Sequence, residues 1–338
     1  MQKYAGHPSQ LYGIEEHRLV GGKGDGMRII EVNNGKGLMF TVSADRCGDI
    51  SRMYYKGMNL GFFAPAGYVA PQFYEKMGNG FLKSFTAGFC TTCGLTTVGT
   101  PSNDNGEELP LHGTISHVPA ENVSYYEENG KLFVKLTIRD ASLFGHKLVL
   151  QREYECDTEK NEIVMRDKVK NIGTEATPYM ILYHFNMGYP LLSENSVVTI
   201  EHNAVAPRDA RAAEGIDNAT VMEKPQAGFA EQCYYYEMSQ GCAKIYNPDI
   251  NTELSLNYNL DELPCFTEWK MMGEGEYVLG LEPGNCNPDG RVETRNKGKL
   301  KMLAPGEEAH QTIVIKIKEN LKNKWCCTAT PFYVFLVN

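Results

Sequence analysis

Apolar and polar residues alternate along much of the chain, which is the pattern of strands that bury one face. In KLFVKLTIRD (131–140), every second residue from Leu132 to Ile138 is apolar. In HQTIVIKIKEN (310–320), isoleucines alternate with lysines in the same way. The run NEIVMRDKVKNIG (161–173) alternates more loosely and ends at a turn. These patterns predict half-buried antiparallel strands.

Turn-forming residues separate these runs, and helical periodicity is weak. Segments such as NNGKG, NIGTEATP and NPDGR combine Gly, Asn, Asp and Pro, which favour tight turns. The best helical stretch is short, PQFYEKM (71–77). The sequence contains no repeat with a period of about 20 to 50 residues, so we expect neither a propeller nor a solenoid.

We therefore predict an all-β fold, a single sandwich domain over residues 1–324, with large antiparallel sheets and few short helices. The remaining residues, 325–338, are apolar without a matching polar face. They form either a final strand buried against the sandwich or a terminal segment that the core does not need.

Charge and composition exclude several classes of partner. The formal net charge is -9, and the densest basic stretch, NKGKLKM (296–302), is interrupted by Gly and apolar residues. Nucleic acid and anionic membrane surfaces are therefore poor candidates. The sequence contains no run of about 18 apolar residues, which is the length that a membrane-spanning helix needs. The polar N-terminal region lacks the apolar core of a signal peptide, so we expect a cytoplasmic location.

The ten cysteines do not have the spacing of a disulfide framework. The motif CTTC (90–93) is the one CxxC in the chain, whereas a zinc ribbon needs a second pair. A thioredoxin-like motif needs a βαβ context, which the pattern does not indicate. We expect these cysteines to be structural thiols.

Candidate chemistry lies where ionisable residues and glycines interrupt apolar strands. In YMILYHFN (179–186), alternation places His184 and Asn186 on one face at the end of a strand. In YVLGLEPG (277–284), Glu282 shares a face with Gly280, which leaves open space beside the carboxyl group. Pro283 is expected to end that strand. A histidine and an asparagine side by side at the end of a strand suit a site on the concave face of a sheet that binds a polar ligand.

Several segments together resemble the aldose 1-epimerase (galactose mutarotase-like) superfamily. They are PLHGTISHVPA, LYHFNMGYPLL and GLEPGN, in this order, and DRCGDISRMYYKGMNLGF and FTEWKMMGEGEYVLGLEPGN resemble a divergent branch of aldose-epimerase-like proteins. The similarity extends from about residue 11 to about residue 318. The order and spacing of the segments are specific, whereas each motif alone is not.

The resemblance implies a β-supersandwich and a sugar isomerase that interconverts anomers by opening and reclosing the ring. It implies that Glu282 is the general base, His184 the acid that protonates the ring oxygen, and His112 an auxiliary histidine. It implies a small-molecule sugar as the partner and no cofactor. Histidines and a carboxylate are also metal-ligand types, but their spacing has no zinc signature, so we expect no metal.

Seven further residues are expected to bind the sugar. They lie in or beside the resembling segments: Arg46, Asp49, Lys83, His117, Asn186, Glu268 and Trp269. Arg46 and Asp49 stand where the family usually has an Asn-Arg pair, so the match at these positions is loose. The resemblance therefore does not determine which sugar is bound. Two alternatives remain: a different isomerase or lyase acting on a modified sugar on the same scaffold, and a carbohydrate-binding protein without turnover.

Overall fold

The computed structural model describes residues 3–319, which form antiparallel strands connected by turns and short helices. The first five strands make one sheet in chain order. They are β1 (Gly13–Arg18), β2 (Arg28–Asn33), β3 (Leu38–Ser43), β4 (Asp49–Tyr55) and β5 (Met58–Asn59).

Five shorter strands follow. They are β6 (Phe62–Phe63), β7 (Ala87–Gly88), β8 (Cys90–Leu95), β9 (Ser102–Asp104) and β10 (Glu107–Leu109). Strands β6 and β7 pair with each other, β9 and β10 form a hairpin, and β8 joins a larger sheet.

The remaining strands build that larger sheet. They are β11 (Ala120–Glu128), β12 (Lys131–Ala141), β13 (Lys147–Asp157), β14 (Glu162–Asn171), β15 (Thr177–Met187), β16 (Val197–Pro207), β17 (Gln232–Asn247), β18 (Thr252–Tyr258), β19 (Cys265–Gly273), β20 (Glu276–Gly284), β21 (Lys301–Leu303) and β22 (Glu308–Glu319). Their order is β11-β12-β13-β14-β22-β18-β17-β19-β20-β15-β21, with β16 also paired to β17 and β8 to β15.

The core lies between the five-stranded sheet and the large sheet. Every second residue of β12 from Leu132 to Ile138 is buried, as the alternation predicts. Ile30 and Phe40 of the five-stranded sheet belong to the same apolar cluster, and the Phe40 ring packs 6.0 Å from that of Tyr154 on β13. The predicted all-β sandwich is confirmed.

Helices are few and short in the described residues. The α-helices are α1 (Ala210–Ala213) and α2 (Arg291–Asn296); the 3-10 turns are Pro8–Gln10, Gly22–Gly24, Pro71–Phe73, Gly80–Lys83, Ile115–His117 and Ile216–Asn218. The helix predicted over residues 71–77 is wrong beyond its first turn, because Tyr74 has extended backbone. None of the described helices has the length and apolar character needed to span a membrane. The predicted segment 325–338 lies outside the described residues.

Two other expectations can be compared with the strands. Pro283 does not end β20, because the ladder continues to Gly284, which pairs with Cys265. Proline has a fixed φ that suits extended backbone, so only its amide hydrogen is missing. Cys90 and Cys93 of the CTTC motif are buried, unpaired thiols in two different apolar clusters. Burial raises the pKa of both thiols well above the ordinary value.

A buried ion network joins the layers behind β8 and β15. Arg152 on β13 is fully buried and lies between Asp167, with oxygen–nitrogen distances of 2.6 and 2.8 Å, and Asp49, at 2.7 Å. Arg152 also donates to the hydroxyl of Thr92 on β8, at 2.8 Å. Tyr183 on β15 donates its hydroxyl hydrogen to Asp167, at 2.8 Å. We call these five residues the Arg152 network.

We predict that Arg152→Met lowers the free energy of unfolding by about 3–5 kcal/mol, because it leaves two buried carboxylates without their cation. The control is Arg166→Met on β14, since Arg166 is partly exposed and pairs with Glu153 and Glu155. That change should cost less than about 1 kcal/mol. Urea titration followed by circular dichroism measures both. Equal, small losses would show that Arg152 is dispensable to the fold.

Candidate active site

His184 and Glu282 lie next to each other although about 100 positions separate them in the sequence. Strands β15 and β20 pair Leu182 with Gly284 and Phe185 with Leu281, so residue 184 lies opposite residue 282. His184 Nε2 is 3.1 Å from Glu282 Oε1, a close contact without hydrogen-bond geometry, since Glu282 Oε1 has no hydrogen-bond partner among the described residues. Both residues are at least nine-tenths buried. Antiparallel register therefore brings one imidazole and one carboxyl group into contact.

Gly280 makes this contact possible. It lies two residues before Glu282 on the same face of β20, opposite Trp269 of β19. A Cβ atom at position 280 would overlap Glu282 Oε1 and would meet Trp269 Cβ at 3.0 Å. The open space predicted beside Gly280 is thus occupied by the Glu282 carboxyl group itself.

A cleft of about 400 Å³ opens above this pair, a volume within the range of small-molecule sites. Its floor is the sheet face of β15, β19 and β20, and its walls are loops. The lining residues are Asn79, Phe81, Leu82, Phe85, Gly99, Thr100, Pro101, Leu111, His112, His184, Arg208, Glu231, Cys233, Thr267, Trp269, Glu282 and Pro288.

His112 enters the cleft from the loop after β10. Its φ of 57° is in the left-handed region, and its backbone is held by hydrogen bonds to Gly99 and Gly94. The His112 ring centroid lies 5.9 Å from that of His184. The Nδ1 atoms of both histidines are buried and have no hydrogen-bond partner among the described residues. One hydrogen-bonding position on each ring is therefore unsatisfied within the described residues.

Burial controls the charge of these three groups. Desolvation raises the pKa of Glu282 well above its ordinary value. Desolvation, with a smaller contribution from His112, lowers the pKa of His184 from 6.5 to about 3. Desolvation likewise lowers the pKa of His112 to about 4. The low-dielectric surroundings therefore favour the neutral forms of all three side chains.

Trp269 forms one side of the cleft and is fixed by a charged rim. Its indole packs edge-on against His184, with ring centroids 5.2 Å apart. Trp269 Nε1 donates to Glu231 Oε2 at 2.7 Å, and the other Glu231 oxygen accepts from Arg208 at 2.9 Å. Arg208 also contacts Cys233 Sγ at 2.9 Å. The indole is thereby held upright beside the acid–base pair.

Four of the ten residues expected from the sequence line this cleft: His112, His184, Glu282 and Trp269. Six others lie outside the lining, namely Arg46, Asp49, Lys83, His117, Asn186 and Glu268. The reason in each case is that another part of the protein holds the side chain.

Arg46, His117 and Asp49 are buried behind the cleft. Arg46 donates to the backbone oxygens of Ser116 and Ser84, at 2.6 and 3.0 Å, and contacts His117 Nε2 at 3.2 Å. Burial, and then the nearby Arg46 charge, lowers the pKa of His117 to about 2. Arg46 and His117 thus support the loop that carries Phe81 and Phe85. Asp49 belongs to the Arg152 network.

The other three face away from the cleft or lie beneath its floor. Lys83 is exposed and pairs with Glu75 at 2.6 Å. Asn186 is fully buried and donates to the backbone oxygen of His184 at 2.9 Å. Glu268 points to the opposite face of β19 from Trp269, accepts a hydrogen bond from Tyr236 at 2.5 Å, and has a pKa raised by burial to about 8.

Sequence reasoning missed several lining residues. Thr267 could have been found, because alternation along FTEWK places it on the face of Trp269 and places Glu268 on the other face. Arg208, Glu231 and Phe81 lie on or beside loops, where no periodic pattern indicates which side chains meet. Their contribution to the cleft depends on tertiary packing.

Metal-ligand residue types are present in the cleft, but their arrangement differs from a metal site. Among residues 3–319, no group of three or more His, Cys, Asp or Glu side chains is arranged to hold a metal ion. The close pair is a single imidazole and a single carboxyl group. That pair suits proton transfer.

We predict that Gly280→Ala displaces the Glu282 carboxyl group from His184, because the new methyl group takes its space. NMR titration of the histidine rings should then report a changed pKa for His184. The matched control is Gly273→Ala on β19, where a Cβ would meet only the end of the flexible Met271 side chain. An unchanged His184 titration in Gly280→Ala would contradict this account of the contact.

The chain resembles several solved structures. A Klebsiella pneumoniae protein provisionally named an aldose 1-epimerase superposes with a TM-score of 0.85 at 23% identity, over 90% of this chain and 83% of that one. A galactose mutarotase-like protein from Clostridium acetobutylicum gives 0.68 at 14% identity, over 92% and 100%. Galactose 1-epimerase from Lactobacillus acidophilus gives 0.62 at 17% identity, over 91% and 99%.

Comparison with curated protein sequences gives no match. Residues 24–317 match a family described as a domain of unknown function, DUF4432. That match covers most of the chain, and the structural similarity covers 90% of it. The chain therefore belongs to the DUF4432 family, and its fold is galactose mutarotase-like.

Proposed function

We propose that this protein is a sugar isomerase that interconverts the anomers of a reducing sugar. The observation that carries the proposal is the 3.1 Å contact between His184 and Glu282 at the floor of the cleft. Anomer exchange needs two proton transfers at oxygens bonded to the same carbon, C1. A base and an acid that act on such neighbouring oxygens must lie close together, as these two side chains do.

The reaction can be written with Glu282 as base and His184 as acid. Glu282 takes the proton of the C1 hydroxyl while His184 Nε2 donates its proton to the ring oxygen. The bond between C1 and the ring oxygen breaks, and the C1 carbonyl forms. Rotation about C1–C2 followed by the reverse transfers closes the ring on the other face. Protons return to their starting groups, so no net change remains on the protein.

In this proposal the His184–Glu282 pair must share one proton in order to act as both acid and base, and burial favours that protonation state. Because the pKa of Glu282 is raised and that of His184 is lowered, the resting proton lies on Glu282. Its transfer to His184 across the 3.1 Å contact creates the carboxylate base and the imidazolium acid together. A sugar whose C1 hydroxyl and ring oxygen face the pair favours this charged form through hydrogen bonds.

The remaining lining groups suit a sugar ring. The Trp269 indole offers an apolar face for the C–H groups of a pyranose. His112 Nδ1 and the hydroxyl of Thr267 are buried polar atoms without partners among the described residues. In this proposal they bind ring hydroxyls and fix the orientation of C1 relative to Glu282.

The first test is saturation-transfer NMR of anomer exchange across aldoses and ketoses. We expect the wild-type protein to accelerate exchange and Glu282→Gln to lower kcat/KM by at least about 100-fold, because the amide cannot accept the proton. Glu276→Gln is the control, since Glu276 is an exposed residue at the start of the same strand. The proposal fails if the wild-type protein accelerates no sugar, or if Glu282→Gln matches the control.

The pH dependence of kcat/KM gives a second test. A lowered His184 pKa means that the pair gains a second proton only in strongly acid solution. Activity should therefore persist below pH 6.5, with the acid limb displaced toward the His184 pKa of about 3. Polarimetry with subtraction of the spontaneous rate measures the profile. An acid limb centred near 6.5 would mean that a solvated histidine controls the reaction.

A further inference from the structure

A second pocket of about 260 Å³ adjoins the cleft, and we call it the outer pocket. Three chain segments form it: residues 76–78, 101–103 and 108–110. The same segments continue inward to line the cleft, through Asn79, Gly99 and Leu111, and Pro101 lines both. The outer pocket therefore adjoins the cleft at Pro101, and neither Glu282 nor His184 lines it.

One wall of the outer pocket is firmly anchored. Residues on both strands of the β9–β10 hairpin line it, and Asp104 at the end of β9 is buried. Asp104 accepts from Arg291 and from Arg295, each at 2.6 Å, and Arg291 also pairs with Glu107. This network fastens the hairpin to α2. The pocket thus has a preformed wall, which lowers the entropy cost of binding a ligand there.

The chemistry of the outer pocket suits an uncharged polyhydroxylated ring. Met77, Pro101 and Pro110 provide apolar surface. Asn103 donates to Glu108 at 2.6 Å, and this pair offers both donors and acceptors to hydroxyl groups. Its charged lining residues are one lysine and one glutamate, so the pocket carries no excess charge.

The outer pocket adds about 260 Å³ beside the cleft of about 400 Å³, so a ligand seated at Glu282 and His184 can extend past Pro101. We propose that the outer pocket binds a second sugar unit, so that the preferred substrate is a reducing disaccharide. Its free anomeric end lies at Glu282 and His184, and its non-reducing unit lies between Met77 and the Asn103–Glu108 pair. This inference rests on the proposed function.

The experiment compares glucose with the reducing disaccharides cellobiose, maltose and melibiose. The wild-type protein should have a higher kcat/KM for at least one disaccharide than for glucose. In Glu108→Ala the ratio of kcat/KM for that disaccharide to kcat/KM for glucose should fall about tenfold, because a hydrogen bond between the sugar and a charged group is lost. Glu159→Ala, an exposed carboxylate outside both pockets, should leave the ratio unchanged. A ratio near one in the wild-type protein, unaffected by Glu108→Ala, would overturn the inference.

Saturation-transfer difference NMR of bound disaccharide separates this inference from the proposed function. Contacts to both sugar units, with those to the non-reducing unit lost in Glu108→Ala, support the outer pocket even if no anomer exchange occurs. In that outcome the isomerase proposal fails and the binding site stands. If the protein accelerates anomer exchange of glucose but shows no NMR contacts to the non-reducing unit of any disaccharide, the proposed function stands. The inference about the outer pocket is then overturned.

Discussion

Arg152 carries a positive charge that has no access to water, and its pairing with Asp49 and Asp167 sets the spacing of the layers around it. A displacement of β8 or β15 would break a hydrogen bond to Thr92 or Tyr183 inside a region that offers no solvent in exchange. The cost of an unpaired buried charge is several kcal/mol, so these strands have little freedom to move. The opposite face of one of these strands, β15, forms part of the floor of the cleft through His184. Its geometry therefore depends on an interaction that no ligand touches.

The floor and the walls of the cleft are constrained in different ways. Strand register determines the contact between His184 and Glu282, and a missing side chain at Gly280 gives the carboxyl group its place. The walls are loops that packing and polar networks hold, as when Arg46 binds the backbone near Phe85. Acid–base geometry is thus a property of the sheet, whereas the shape available to a ligand is a property of the loops. Under the proposed function, a change in the loops would alter which ligand fits without moving the acid–base pair.

Alternation was enough to predict the sandwich, the faces of β12 and β15, and the shared face of Gly280 and Glu282. It could not predict that positions 184 and 282 meet, because the pairing of β15 with β20 follows from topology rather than from local sequence; the resemblance placed them together. Arg46 was expected to bind the sugar because it stands where the resembling family usually has an Asn-Arg pair, yet its donors are taken by backbone oxygens in the interior. Glu268 and Trp269 were both expected to bind the sugar, although adjacent residues of a strand point to opposite faces of the sheet. Arg208 and Glu231 had no sequence signal, since a rim formed by an ion pair depends on tertiary packing.

The two faces of strand β15 have different roles. Tyr183 points toward the buried charges and His184 toward the cleft, so adjacent codons encode a structural anchor and a reactive group. Substitution of His184 alters the chemistry of the cleft, while the neighbouring Tyr183 and Phe185 keep the layers packed. Under the proposed function, a change at this one position would alter the reaction while the packing of the strand is kept. Protein engineers can therefore vary the side chain of β15 that faces the cleft while the side chains on the other face maintain stability.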